Sequence, residues 1–323
     1  MTAASARVVT SLAAAACQVA PRNAAETGPV ALDRRAFLAL GAGAVLTACS
    51  GSSGGSAGPT RSSTTTSSST GSPSSSPVSS GPVLPAAARW QPSRNDISPA
   101  AKVAAVQRIE TLGDRPGSSV VTVIDAQYGG ILTDAASVLV VTRSLRVTGG
   151  DVVEGGRTYD VRLVRGATGW RVTAIHPSHP GAASTSPGAA ARAVLDSATI
   201  DLPPAARADV LSGQVHDSVL HAMLTLSRSF HLGISVVRSG HPIDVFGTNR
   251  PSDHPLGRAF DTWRIDGHAV VDPSTPRRLV TRYMEAAAGA GSYNVGGPYL
   301  LGSAPQWFSD DTHHDHVHAG FTT

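Results

Sequence analysis

Ser252-Asp253-His254-Pro255-Leu256-Gly257-Arg258-Ala259-Phe260-Asp261 is the most informative stretch of the chain. Pro255 lacks a backbone N–H and Gly257 favours turns, and both argue against a continuous helix through the segment. The spacing predicts a loop carrying His254 that turns into a strand ending near Asp261. Further on, His313-His314-Asp315-His316-Val317-His318 leads into a segment too short for a helix, and a strand over 315–321 is expected. Residues two apart on a strand face the same way, so His316 and His318 share one side and Val317 packs on the other. Two imidazoles on one face make a poor core, because each polar nitrogen needs a partner.

The wider composition narrows what those residues do. The only cysteines are Cys17 and Cys49, both near the N-terminus, so the folded part holds neither a disulfide nor a thiolate metal site. None of the 12 histidines precedes His176, and the C-terminal part is therefore the chemical one. His254, Asp261 and one of the His316/His318 pair can supply a three-ligand zinc site that keeps one position for water. Zinc lowers the pKa of such a water to about 7 and polarises a carbonyl. A net charge of +3, part of it in the leader, with 15% charged residues leaves no electrostatic footprint for nucleic acid.

The first 48 residues read as an address. Arg34 and Arg35 form a twin-arginine pattern, followed by the apolar run Ala36 to Ala48. That run is shorter than the about 20 residues a spanning helix needs but suits a signal peptide. It ends in Leu46-Thr47-Ala48-Cys49, which looks like a bacterial lipobox and makes Cys49 the expected lipidation site. Residues 49–85 are rich in Ser, Thr, Gly and Pro and cannot bury enough surface to order themselves. They are expected to form a disordered tether reaching roughly 30–35 Å. Export and a membrane lipid anchor facing the cell wall follow as expectations.

Two α+β domains are expected after this tether, over 86–180 and 189–323, joined by the small-residue stretch Gly181–Gly188. In the first, Ser98-Pro99 opens a helix that Gly113 stops. Strand-like segments follow at Ser119–Ile124, Ser137–Val147, Arg157–Arg165 and Trp170–Ile175, the last two joined by a turn at Gly166–Gly169. That domain resembles the cone-shaped nuclear-transport-factor-two-like group of exported lipoproteins. It shows no acid/base constellation, which favours a spacer or interaction module. In the second, Val215–Phe230 carries apolar residues at helical spacing with Gly233 as its stop, Ile234–Val237 is a short strand, and Pro276–Ala288 a helix.

The pattern S-x-H-x-x-G-x-A-x-D, matched by Ser252, His254, Gly257, Ala259 and Asp261, resembles the signature of the D-alanyl-D-alanine zinc peptidases. The later H-x-H is similar to the wider lysostaphin, D-Ala-D-Ala peptidase and hedgehog group. The resemblance implies zinc held by His254, Asp261 and His318. It implies that Arg238 engages a substrate carboxylate or developing oxyanion, and that Ser252 orients the loop. Family carboxypeptidases carry a Glu three residues before the last zinc histidine; here that position is Asp315, one methylene shorter. Other members use the first His of H-x-H, here His316, so the general base is Asp315 or His316. The implied activity is hydrolysis of D-alanyl bonds in peptidoglycan stem peptides. The competing expectations are a non-catalytic cell-wall-binding lipoprotein and a zinc-buffering one. His313 and His314 read as exposed or outer neighbours, His241 and His268 as surface or loop residues, and His216, His221 and His231 as solvent-facing.

Overall fold

The computed structural model describes residues 82–113 and 118–323. The twin-arginine leader, Cys49 and all but the last few residues of the tether lie outside the described residues. Among those described, no helix is long and apolar enough to cross a membrane. The architecture is α+β, as expected, with two sheets.

The first sheet is antiparallel. It comprises β1 (Ser119–Ile131), β2 (Ala135–Thr148), β3 (Asp151–Gly155), β4 (Thr158–Gly166) and β5 (Gly169–Pro177), in the order β1-β2-β4-β5 with β3 on β2. Helix α1 (Pro99–Gly113) covers one face. Its apolar residues Ala101, Ala105, Val106 and Ile109 fall on one stripe and meet Ala136, Val138 and Val140 of β2. The alternate residues of β2, Leu139 and Val141, point the other way and pack against Val236 of the second sheet. A strand buried on both faces reads as an unbroken apolar run, which Ala136-Ser137-Val138-Leu139-Val140-Val141 nearly is. Gln127 and Asp125 of β1 pair with Leu139 and Val141, so both sit on the face turned toward the second sheet.

The second sheet runs β11-β10-β12-β8-β7-β6. Its members are β6 (Ile200–Asp201), β7 (Leu232–Val236), β8 (Ala259–Ile265), β10 (Asn294–Gly296), β11 (Trp307–Phe308) and β12 (Val317–Gly320), with β9 (His268–Ala269) on β8. Helices α2 (Ala189–Leu195), α3 (Pro204–Leu211), α4 (Asp217–Leu226) and α5 (Arg277–Gly289) accompany it. Val219, Leu220, Met223 and Leu226 of α4 and Val280, Tyr283 and Met284 of α5 are buried in its core cluster.

Three local expectations are corrected. The helix expected over Val215–Phe230 begins at Asp217 and ends at Leu226. Gly233 lies inside β7 and is no helix stop. A Cβ there would stand 2.8 Å from Cβ of Arg264, so the glycine serves a close strand approach. The strand near Asp261 begins at Ala259 and runs past it to Ile265, rather than ending there. The strand expected over 315–321 is the shorter β12, Val317–Gly320, which leaves Asp315 and His316 in the bend before it.

Candidate metal centre

Asp261 of β8 and His318 of β12 are direct cross-strand partners, which puts their side chains on one face a few ångströms apart. His254 reaches them from the loop before β8. Gly257 makes that loop possible: its φ is +72°, and a Cβ would stand 2.1 Å from the carbonyl oxygen of Gln214. The Gly257 carbonyl accepts from the His216 N–H at 2.9 Å, locking the turn to α4. Ser252 Oγ accepts from the His254 N–H at 3.4 Å and lies 3.3 Å from His241 Nδ1.

Three polar atoms converge. His254 Nε2 lies 3.1 Å from Asp261 Oδ1 and 3.1 Å from His318 Nδ1, and the remaining edge is also 3.1 Å. His254 Nδ1 donates to the Val237 carbonyl at 2.8 Å, so a neutral His254 turns a bare Nε2 lone pair inward. That lone pair confronts a carboxylate oxygen and a second imidazole nitrogen in a buried setting. Facing acceptors of this kind are stabilised by a cation between them. His241 joins from the side, its ring stacked on His254 with centroids 4.1 Å apart. His241, His254 and Asp261 each offer a ligand atom within 4.8 Å of the others, and the group could hold a metal ion.

The electrostatics follow from burial and close neighbours. Burial alone would raise the Asp261 carboxyl, but the imidazoles of His254 and His316 hold it well below the usual carboxylate range. Burial pushes His318 down to about 4, and burial together with the His254 ring pushes His241 well down. His316 goes the other way. Burial opposes its charge, yet the carboxylates of Asp261 and Asp315 outweigh that and raise it above its ordinary value.

Asp315 and His316 have different surroundings. His316 Nδ1 donates to Asp315 Oδ1 at 2.6 Å, while His316 Nε2 looks back toward the converging atoms, 3.8 Å from Asp261 Oδ2. Asp315 Oδ2 takes the Tyr128 N–H at 3.1 Å and the Lys102 ammonium at 2.7 Å. Both Asp315 oxygens are therefore committed. Burial raises this carboxyl, but Lys102 and His316 hold it at about 2. Lys102 is the only lysine of the sequence. It is 1% exposed, runs over the Tyr128 ring and also pairs with Asp96. Burial alone would depress it; Asp315 and Asp96 more than reverse that and raise it above its ordinary value.

A cleft of about 850 Å³ opens over these groups. His254, His316 and His318 line it on one side, the end of β1 and the residue after it (Tyr128 to Leu132) on another, and Phe246, Arg250, Tyr293 and Phe308 elsewhere. His313 also lines it, held by Asp310 Oδ1 at 2.7 Å, with its ring 5.2 Å from that of His316. His241, read as a surface or loop residue, lies in a loop that brings its ring onto His254, and His313, read as an exposed or outer neighbour, lines the cleft.

Arg238 does not belong to it. Its guanidinium donates to the Pro180 carbonyl at 2.6 Å and lies 3.8 Å from Asp209 Oδ1. It sits just beyond the end of β7, and the carbonyls of the 179–180 segment draw its long side chain away from the cleft. The arginine that lines the cleft is Arg250. The first half is not chemically silent either. Gln127 and Lys102 reach the site from β1 and α1, a role that no local spacing announces. No protein-family model, curated protein or solved structure matches the chain.

Proposed function

We propose that the protein is a zinc peptidase of the D-alanyl-D-alanine type, lipid-anchored outside the membrane, that hydrolyses D-alanyl bonds in peptidoglycan stem peptides. The observation that carries this reading is the triangle of His254 Nε2, Asp261 Oδ1 and His318 Nδ1. A tetrahedral zinc with bonds of about 2.05 Å has ligand–ligand edges of about 3.3 Å, close to the 3.1 Å edges here. The donor set of two imidazoles and one carboxylate is that of a catalytic zinc site, not of a closed structural one. His254, Asp261 and His318 hold the metal, and His241 flanks them. When bound, zinc supplies Lewis-acid activation of water and of the scissile carbonyl.

His316 is the general base. Its Nε2 faces the site and takes the proton of the attacking water, then returns it to the leaving amine. Asp315 fixes the ring through Nδ1 and stabilises the imidazolium that forms, as a third group orients the base in a triad. Arg250, exposed where it lines the cleft, meets a substrate carboxylate.

The test is digestion of purified muropeptides by the mature protein, with and without chelator, read by mass. Release of D-alanine or a stem fragment only by metal-loaded protein is expected. Intact muropeptides with metal-loaded protein overturn the peptidase reading and leave a wall- or zinc-binding lipoprotein.

A further inference from the structure

Asp261 has two carboxylate oxygens, and the triangle uses one. The other, Oδ2, accepts a hydrogen bond at 2.7 Å from Gln127 Nε2, a residue 134 positions earlier on the first sheet. Gln127 is 1% exposed. Its amide cannot turn over: a carboxylate only accepts, so the NH2 end faces Asp261. The carbonyl end Oε1 then takes the hydroxyl of Ser235 on β7, which is fully buried and also lies 3.3 Å from the Asp261 carbonyl. The side chain is pinned at both ends, and with it the plane of the Asp261 carboxylate.

The chemistry of the donor matters as much as its place. A neutral amide satisfies Oδ2 without cancelling the negative charge that Asp261 brings to a metal. An ammonium or guanidinium there would compete with the ion for the same charge. The next residue of β1 continues the pattern, since the Tyr128 N–H holds Asp315 Oδ2. Two successive residues of one edge strand thus serve two carboxylates of the site.

We propose that the first α+β half is a built part of the metal centre rather than a spacer, with Gln127 as the positioning residue that holds Asp261 in its metal-binding orientation. The inference rests on the metal being held by His254, Asp261 and His318, and is independent of the substrate. Zinc affinity of the full-length protein is measured by competition with a chromophoric chelator, and the cobalt-substituted form by its visible spectrum. Gln127→Leu keeps the volume and loses the donor. It is expected to weaken zinc binding about 10–100-fold and to shift the cobalt bands. Ser235→Ala, which frees only the far end of the amide, weakens binding by less and serves should Gln127→Leu fail to fold. Val161→Ala, in the α1-facing core of the same half, lowers stability and leaves affinity and spectrum unmoved. Wild-type affinity and an unchanged cobalt spectrum in both Gln127→Leu and Ser235→Ala, or an equal loss in Val161→Ala, overturn the proposal. Failure of the wild-type protein to take up zinc overturns the metal reading itself, and this inference with it.

Discussion

Replacing Lys102 by Met removes the one ammonium that two buried carboxylates share. Lys102 Nζ lies 2.7 Å from Asp315 Oδ2 and pairs with Asp96, and all three side chains are at most 2% exposed. Methionine fills much of the same space, so the change tests charge more than packing. Breaking a buried pair by deleting one partner costs about 3–5 kcal/mol, because the remaining charge stays buried without its counter-ion. For a folded unit of this size 1 kcal/mol moves the midpoint by about 2–4 °C, so Lys102→Met is expected to melt about 6–20 °C below wild type at pH 7. Differential scanning calorimetry reads this directly. The sign of the pH dependence is determined by Asp315. Its folded pKa of about 2 lies below the ordinary 3.8, so its contribution is fully present above about pH 4 and fades as pH falls through about 2. The gap between wild type and variant therefore closes over that window. Lys102→Met/Asp315→Asn, which removes both charges, is expected to be less destabilised than the two single losses added together. A Lys102→Met protein within about 1 kcal/mol of wild type at pH 7, or one with the same deficit at pH 2, refutes the reasoning.

Other outcomes follow from the same geometry. His316→Ala is expected to lower kcat about 10²–10⁴-fold while zinc binding, read by chelator competition, survives; full activity removes His316 from the mechanism. His254→Ala and His318→Ala are expected to lose the metal, which elemental analysis after dialysis shows. Asp125 has a buried Oδ2 without a hydrogen-bond partner, and burial raises its carboxyl to about 7. A raised folded pKa means stability falls as pH climbs from about 4 to about 7, so Asp125→Asn is expected to gain roughly 2–4 kcal/mol above pH 7 and nothing below pH 4 in denaturant titrations. Arg250→Ala is expected to raise KM for stem peptides, whereas Arg238→Ala lowers the melting temperature and leaves KM alone; the reverse pattern restores Arg238 as the substrate arginine.

The site was legible where chemistry is carried by short spacing. His254 and Asp261 lie in one ten-residue pattern, and His316 and His318 are two apart, although only His318 lies in β12 and His316 in the bend before it. The α+β class was legible from Ser98-Pro99, from the turn at Gly166–Gly169 and from the apolar runs. What escaped is what the chain joins across great separations. Nothing in a local window links Gln127 to Asp261 or Lys102 to Asp315. The one available hint was compositional: a single lysine in a chain whose other bases are all arginine. Arg238 was misplaced because its neighbourhood after a strand said where its backbone lies, not that the carbonyls of residues 179 and 180 claim its side chain. Gly233 was misread because glycine marks helix ends and crowded strands alike.

The exposed rim of an edge strand ordinarily invites a neighbouring chain to pair with it. At the C-terminal end of β1 part of that rim is taken up, its amides at Tyr128 and Ile131 going to Asp315 and Thr312 of the segment before β12. One set of contacts thus both shapes the cleft and blunts a sticky border. These contacts span 187 and 181 residues, so no local stretch of chain forms them by itself. Cutting the two halves apart would strip Asp261 of Gln127 and Asp315 of Lys102 and of the Tyr128 amide, so neither fragment would inherit the site as it stands.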